Sequence, residues 1–353
     1  MLVEEEWHVA MRTRHYLISQ CLDLPFEFAW MALYNQGHDT NVLNITSLTR
    51  LTLHLYTYRP AFINFLADLR VLQHTQTINK RTPAKTTLPT PGAGAHFVLN
   101  VGSLENSTMC MLFGPPPSTL SRTLRKAEKA LTQALDGYKP ARISWPSPSR
   151  QTKLAKLVEA QEPLLKHTFG FIDGKMFRQL FGYMHIQQPL NADLQNAMYN
   201  EWLHSVFVTG PICFASDGCI IWCNHKCPGS WNDSAILFEF RLELTDRRFC
   251  PDERMNVVSV SAFPCSTAMT GRILTPLKNA DLGRILSSLQ SSARMLHTAI
   301  TSVRQDHEWG MGSIQKVFIR LNLLLPYDPE LRGLRLNNLF WLANYRVRVI
   351  EIS

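Results

Sequence analysis

From His167 onward the chain changes its hydrophobic rhythm, and that change constrains the fold more than any single motif does. HTFGFID reads as one strand, and HSVFVTGPICFA and CIIWC as two more, flanking Ser216-Asp217-Gly218, where Asp217-Gly218 suits a two-residue hairpin turn. After an amphipathic stretch, Ser234 to Leu244, NVVSVSAF is an unbroken β-rich run of the kind buried on both faces. A long helical stretch, Asp281 to Leu321, follows with Leu282, Leu286, Leu289, Leu296, Ile300 and Val303 on one side. Strand, antiparallel hairpin, helix, buried strand and long helix predict an α/β domain, a mixed sheet flanked by helices, over residues 165–350.

The preceding half reads differently. Leu48, Leu51 and Leu55, then Phe62, Phe65, Leu66 and Leu69, keep a helical period, so residues 1–80 are expected to be helical. Breakers then punctuate the chain: RTPAKTTLPTPGAGA over Arg81 to Ala95 reads as a linker, GPPPS and KPARISWPSPSR as loops. Beyond GPPPS, Ser118 and Thr119 can cap a helix that sets Leu120, Leu124, Ala127, Leu131 and Leu135 on one face. Arg122, Arg125, Lys126 and Lys129 fall on the other. A short helix between Phe97 and Cys110, the tight GPPP connection and this basic helix have the length of a helix-turn-helix, which places the element within 96–157.

Charge points the same way. Of 353 residues, 36 are Lys or Arg and 28 Asp or Glu, a net +8. Between Pro115 and Leu157, nine basic residues face two acidic ones, which puts +7 in 43 residues. Such a field attracts polyanions, and DNA is the partner it fits, although a solvated helix face has the same composition. With 45% hydrophobic residues the chain is not of the disordered class. No window of uncharged apolar residues is long enough to span a bilayer, and MLVEEEWHVA lacks a basic leader region, so a soluble chain with no membrane partner is expected. Eight cysteines without a CxxC pair fit a reducing compartment.

Three acids invite a metal. Asp173 is read as closing the first strand in FGFIDG, Asp233 lies in CPGSWNDS, and Glu308 lies in VRQDHEWGM on the long helix. Each also has an ordinary reading: Asp-Ser starts many helices, and Glu308 can pair with Arg304 one turn back. Cys213, Cys219, Cys223, His225 and Cys227 suggest zinc instead, but a hairpin that pairs Cys213 across from Trp222 sends Cys213 and Cys223 to opposite faces. No GxxxxGK[ST], GxSxG or strand-following GxGxxG is present, and His307-Glu308 lacks the second histidine of HExxH.

GFIDGK, LQNAMYNEWLHSVFVTGPICFASDG, KCPGSWNDS, SAFP with ILTPLKNADL, RQDHEWGM with QKVFIRL, and LPYDPELRGLRLNNLFWLANYRVR together resemble the PIF/Harbinger-type DDE transposases and their domesticated nuclease relatives, over roughly Ser118 to Arg348. The resemblance implies an RNase H-like fold and a two-metal phosphodiester reaction with Mg²⁺ or Mn²⁺, for which hard carboxylate oxygens are required. It matches Asp173 and Glu308 to catalytic metal ligands, with Asp233 in a supporting or disputed role. It also exposes a departure. The family's bridging Asp, directly before the Ser-Ala-Phe-Pro segment, is Val260 here, so impaired catalysis is expected unless Asp246 or Asp252, at the other end of the strand, serves instead. The same resemblance implies nuclear work and a Myb-like partner protein. A catalytically inactive DNA-binding protein of transposon origin is the alternative.

Overall fold

The computed structural model describes residues 29–46, 48–51, 53, 104, 106–113, 117–178, 196, 198–200, 205–225, 227–259, 269–277, 281, 283–322, 325–326 and 328–350. The linker expected at 81–95 lies outside them. The chain divides into two compact units, residues 1–138 with 317–320, and residues 139–316 with 321–353.

The first unit contains α1 (Ala29–Gln36), α2 (Asp39–Thr46), α3 (Asn106–Phe113) and α4 (Pro117–Leu135). Trp30 organises it: fully buried, its ring lies 5.4 Å from Phe113 and 6.0 Å from Tyr34, and Met109, Leu120 and Leu124 complete the cluster. The apolar face expected on α4 is buried throughout, from Leu120 to Leu135. The helix starts one residue earlier than Ser118, at Pro117, whose fixed φ suits a first helical position, so Ser118 and Thr119 are first-turn residues and not caps.

The second unit is built on one mixed sheet: β1 (Thr168–Arg178), β2 (Tyr199–Asn200), β3 (Ser205–Ala215), β4 (Ile220–Cys223), β5 (Cys227–Pro228), β6 (Asn256–Ser259) and β7 (Ile273–Leu274). The strand order is β3-β1-β6-β7, with β2, β4 and β5 on the far side of β3. β3 runs antiparallel to β1, while β6 and β7 are parallel to it. This order, with its antiparallel second strand, is that of the RNase H-like fold. The hairpin differs from the expected two-residue turn. Ala215 N–H donates to Cys219 O and Gly218 N–H to Ala215 O, which makes Ser216–Gly218 a three-residue loop closed by Gly218 at φ 78°. Farther along β3, Gly210 is needed for another reason: a Cβ there would stand 2.6 Å from Asn224 O and His225 Cα.

Helices cover both faces. α5 (Pro148–Gln161), α6 (Asp233–Ile236) and α7 (Phe238–Thr245) bring Leu154, Ile236, Phe240 and Leu244 onto Phe169, Ile172, Cys213 and Trp222. A register shift between Thr168 and Gly170 lets Phe169 and Ile172 share that face. Phe171 and Val258 look the other way, onto Ala299, Ile300 and Val303 of α8 (Gln290–Val317). The long helix is shorter than Asp281 to Leu321. Gly283 and two serines before Gln290 favour turns and a 3₁₀ segment there, so Leu286 and Leu289 precede the helix and are 71% and 53% exposed.

α9 (Pro329–Tyr345) ties down the sheet edge. Its fully buried Asn344 accepts from Ile220 N–H (2.7 Å) and donates to Ile220 O (2.8 Å) and Arg142 O (3.2 Å), standing in for a missing neighbour strand. Of the three aromatic residues that helical spacing assigns to the core, Phe340 and Tyr345 are buried and Trp341 only partly so. Asn344→Ala leaves both Ile220 groups buried and unpaired, so a loss of about 3 kcal/mol is expected in chemical denaturation, with the slope of the transition unchanged.

Candidate nuclease site and basic helix

The residues singled out by sequence fall into two sets, and each belongs to a different unit. On α4, Arg122, Arg125, Lys126 and Lys129 are all exposed, while Thr123, Leu124, Ala127 and Glu128 between them are buried. Spacings of three, four and seven make them one stripe along the helix. α3 precedes α4 by the short 114–116 connection, which itself lies outside the described residues. The other basic residues of the segment, Lys139 and Arg142 before α5 and Arg150, Lys153 and Lys156 on it, belong to the second unit, where α5 packs Leu154 and Ala155 into the sheet core.

Asp173 sits within β1, paired with Ile212 of β3, and not at a strand end. The strand continues past it because Gly174 and Lys175 stay extended against Pro211 and Gly210, so no sharp turn follows the acid. What does end near Asp173 is the described parallel ladder: Ile172 pairs with Ser259, the last described residue of β6. Val260 follows Ser259 in sequence and lies outside the described residues. Asp233 opens α6, but the cap is Asn232, whose side chain accepts from Ala235 N–H at 2.8 Å. Asn three residues ahead of the first capped amide was the sequence signal for this cap.

Glu308 lies on α8, and the packing of that helix fixes its direction along β1. Glu162 and Leu164, just before β1, line a groove with Arg294, Met295 and Thr298. Further on, Phe171 clusters with Ala299, Ile300 and Val303. Strand and helix thus advance together. Asp173 is two residues beyond Phe171, about 7 Å of strand, and Glu308 five beyond Val303, about 7 Å of helix. The backbones of the two acids continue the same packed pair of elements in the same sense. The side chains of Asp173, Asp233 and Glu308, and with them a pairing of Glu308 to Arg304, lie outside the described residues.

Geometry also decides the zinc alternative. Cys213 pairs with Trp222 as expected and Cys223 with Ile212, so the two thiols take opposite faces. Burial pushes Cys223 up to about 12 and Cys227 up to about 11, where the thiolate that binds metal is scarce. Among the described residues no three His, Cys, Asp or Glu side chains gather as metal donors. The substitutes considered for Val260 are engaged elsewhere. Asp246 is ion-paired with Arg248 at 2.6 Å, and Asp252 with Arg254 at 2.9 Å, which holds Asp252 down to about 2; both precede β6.

Residues 183–344 match the family model described as DDE superfamily endonuclease. The match supports that superfamily. It holds Asp233, Val260 and Glu308, and begins after Asp173. Endonucleases of the DDE superfamily use divalent metal ions. Among solved structures, the chain is similar to a pre-cleavage Mos1 transpososome, at 12% identity over 79% of this chain and 83% of that one, with a TM-score of 0.22. It is also similar to a Mos1 mariner paired end complex with Mn, at 12% identity over 71% and 87%, with a TM-score of 0.16. No curated protein matches. Among the described residues no helix is long and apolar enough to cross a membrane.

Proposed function

We propose that the chain is a transposon-derived DDE endonuclease of the PIF/Harbinger kind, acting on DNA in the nucleus beside a Myb-like partner, with catalysis impaired at Val260. The observation that carries the reading is the common advance of β1 and α8, which brings Asp173 and Glu308 onward from one packed contact. Asp233, at the head of α6, joins the set through the family resemblance and not through packing.

Such a donor set fits a hard divalent cation, Mg²⁺ or Mn²⁺, which binds through oxygen. When two ions are bound in such a site, they stabilise the attacking and leaving oxygens of an in-line displacement. Valine offers no oxygen to share between them, so three acids suit one weakly held ion better than a pair. The exposed stripe on α4 suits a duplex-binding surface that needs no metal, and that observation favours the second reading, a DNA-binding protein without nuclease activity.

Calorimetry with Mn²⁺ separates the two. A single weak site that disappears in Asp173→Asn, and a tighter second site in Val260→Asp, are expected from the nuclease reading. Silence in both the unaltered protein and Val260→Asp would remove the metal site from the account. Retained duplex binding would then leave the second reading standing.

A further inference from the structure

Among the described residues β4 pairs with β3 alone, and its other edge is open. At one end of that edge the Asn344 amide stands between Ile220 and Arg142 O and bonds to both, as a peptide group of a further strand would. Farther along, Asn224 N–H donates to Pro211 O, so alternation makes Trp222 and Cys213 the next hydrogen-bonded pair. The N–H and C=O of Cys223 are thereby turned away from β3. Facing this edge, residues 143–147 have no regular structure. Pro146 and Pro148 hold the residues before them extended, as Ser147 shows with ψ 157°. Among the described residues, Ile143 and Ser144 make no main-chain hydrogen bond. Between the two stretches lies a groove of about 500 Å³, a size that takes a ligand. Its walls are fixed in advance. Buried Gln151 ties Pro146 O (2.9 Å) to Phe249 O (2.7 Å), Trp145 Nε1–H donates to Phe249 O at 3.1 Å, and Trp145 and Trp222 both pack on Phe240.

We propose that an extended segment of another protein lies in this groove as a strand added to β4, with an acidic side chain beside Arg142. Asn344 already fills one end of the slot in this manner with a single amide. Three residues of added strand, about 10 Å, would continue from it past Ile221 to Cys223. Charge selects the side chain. Arg142 is exposed and among the described residues takes part in no ion pair, whereas Arg248 is held by Asp246. Glu243, the one acid lining the groove, is pushed up by burial and accepts a hydrogen bond from the Trp222 side chain, which leaves Arg142 the dominant charge. A nucleic-acid strand fits less well, because its phosphodiester chain has no amide donor for the open Cys223 carbonyl. The inference stands apart from the nuclease reading, since none of these residues belongs to the acid set or the α4 stripe.

Random eight-residue peptides, displayed on phage and panned on the full chain, test it. Enriched peptides are expected to carry Asp or Glu at a fixed place among alternating apolar residues. One of them, synthesised with a fluorescent label, is the probe for anisotropy. Its N-methylated form is expected to bind at least about thirtyfold more weakly, because backbone donors are lost while the side chains stay. This arm leaves the protein unaltered, so it holds even if a variant folds poorly. Ser144→Trp, which fills the groove, is expected to abolish binding, and Arg142→Glu to weaken it about tenfold, both with unchanged circular dichroism. A library that enriches no peptide overturns the proposal. So does a probe whose affinity survives N-methylation, or survives Ser144→Trp in a folded chain. Binding of a single-stranded oligonucleotide that Ser144→Trp removes, with no peptide bound, would give the groove to nucleic acid and overturn it as well.

Discussion

Replacing Arg122, Arg125, Lys126 and Lys129 together by alanine is expected to lower affinity for duplex DNA by about a hundredfold at physiological salt, and to flatten the salt dependence. Each phosphate neutralised by Lys or Arg contributes about 0.9 to the slope of log K against log salt. Loss of four such contacts therefore removes about 3.6 from it, and loss of two about half that. The variant isolates charge from folding: all four side chains are exposed, the face that packs against Trp30 and Phe113 is untouched, and alanine is the best helix former. Fluorescence anisotropy with one labelled duplex at several salt concentrations reads both quantities. An unchanged affinity and slope would take α4 out of DNA binding altogether. A fall in affinity that depends on duplex sequence would instead mean that the stripe reaches base edges, as the second helix of a helix-turn-helix does.

The two units were legible in the sequence to different degrees, for physical reasons. α4 announced itself because a period of 3.6 puts Leu120, Leu124, Ala127, Leu131 and Leu135 inside and the basic residues outside, although the burial of Thr123 and Glu128 among the apolar residues was not foreseen. The sheet was legible as a set of strands, and the Cys213–Trp222 pairing followed from the turn even though the loop is one residue longer than Asp217-Gly218. Alternation failed where the ladder shifts register, at Thr168/Gly170 and at Cys213/Phe214, since an extra residue changes which face follows. Periodicity also overran the start of α8, because Leu286 and Leu289 continue its stripe without sharing its core. The strand-end reading of Asp173 failed for a different reason. Gly174 looked like a turn residue, but an antiparallel partner that supplies Pro211 and Gly210 keeps the backbone extended. Asn344 could not have been found: one Asn among three in its helix declares no partner until β4 lies beside it.

Restoring a carboxylate at Val260 is expected to produce the largest change in activity. The unaltered protein should nick a labelled duplex in Mn²⁺ no faster than a control in chelator, whereas Val260→Asp should raise the rate at least about a thousandfold, about 4 kcal/mol of transition-state stabilisation. The figure follows from what a shared ligand does. In a two-metal reaction both the attacking and the leaving oxygen gain charge, and an ion missing from either side leaves that charge without its counterpart. Ser259 stands opposite Ile172, one residue before Asp173 on β1, so a carboxylate introduced after Ser259 enters the chain next to the point where β1 carries its own acid. An alanine at 260 removes the bulk of valine and supplies no oxygen; it should stay inactive, which separates a ligand effect from a packing effect. Val260→Asp combined with Asp173→Asn should be as inactive as the unaltered protein, because neither carboxylate can hold two ions alone. Cleavage by the unaltered protein at a rate near that of Val260→Asp would show that this chain never lost its ligand, and that some oxygen other than the one expected after Ser259 completes the site.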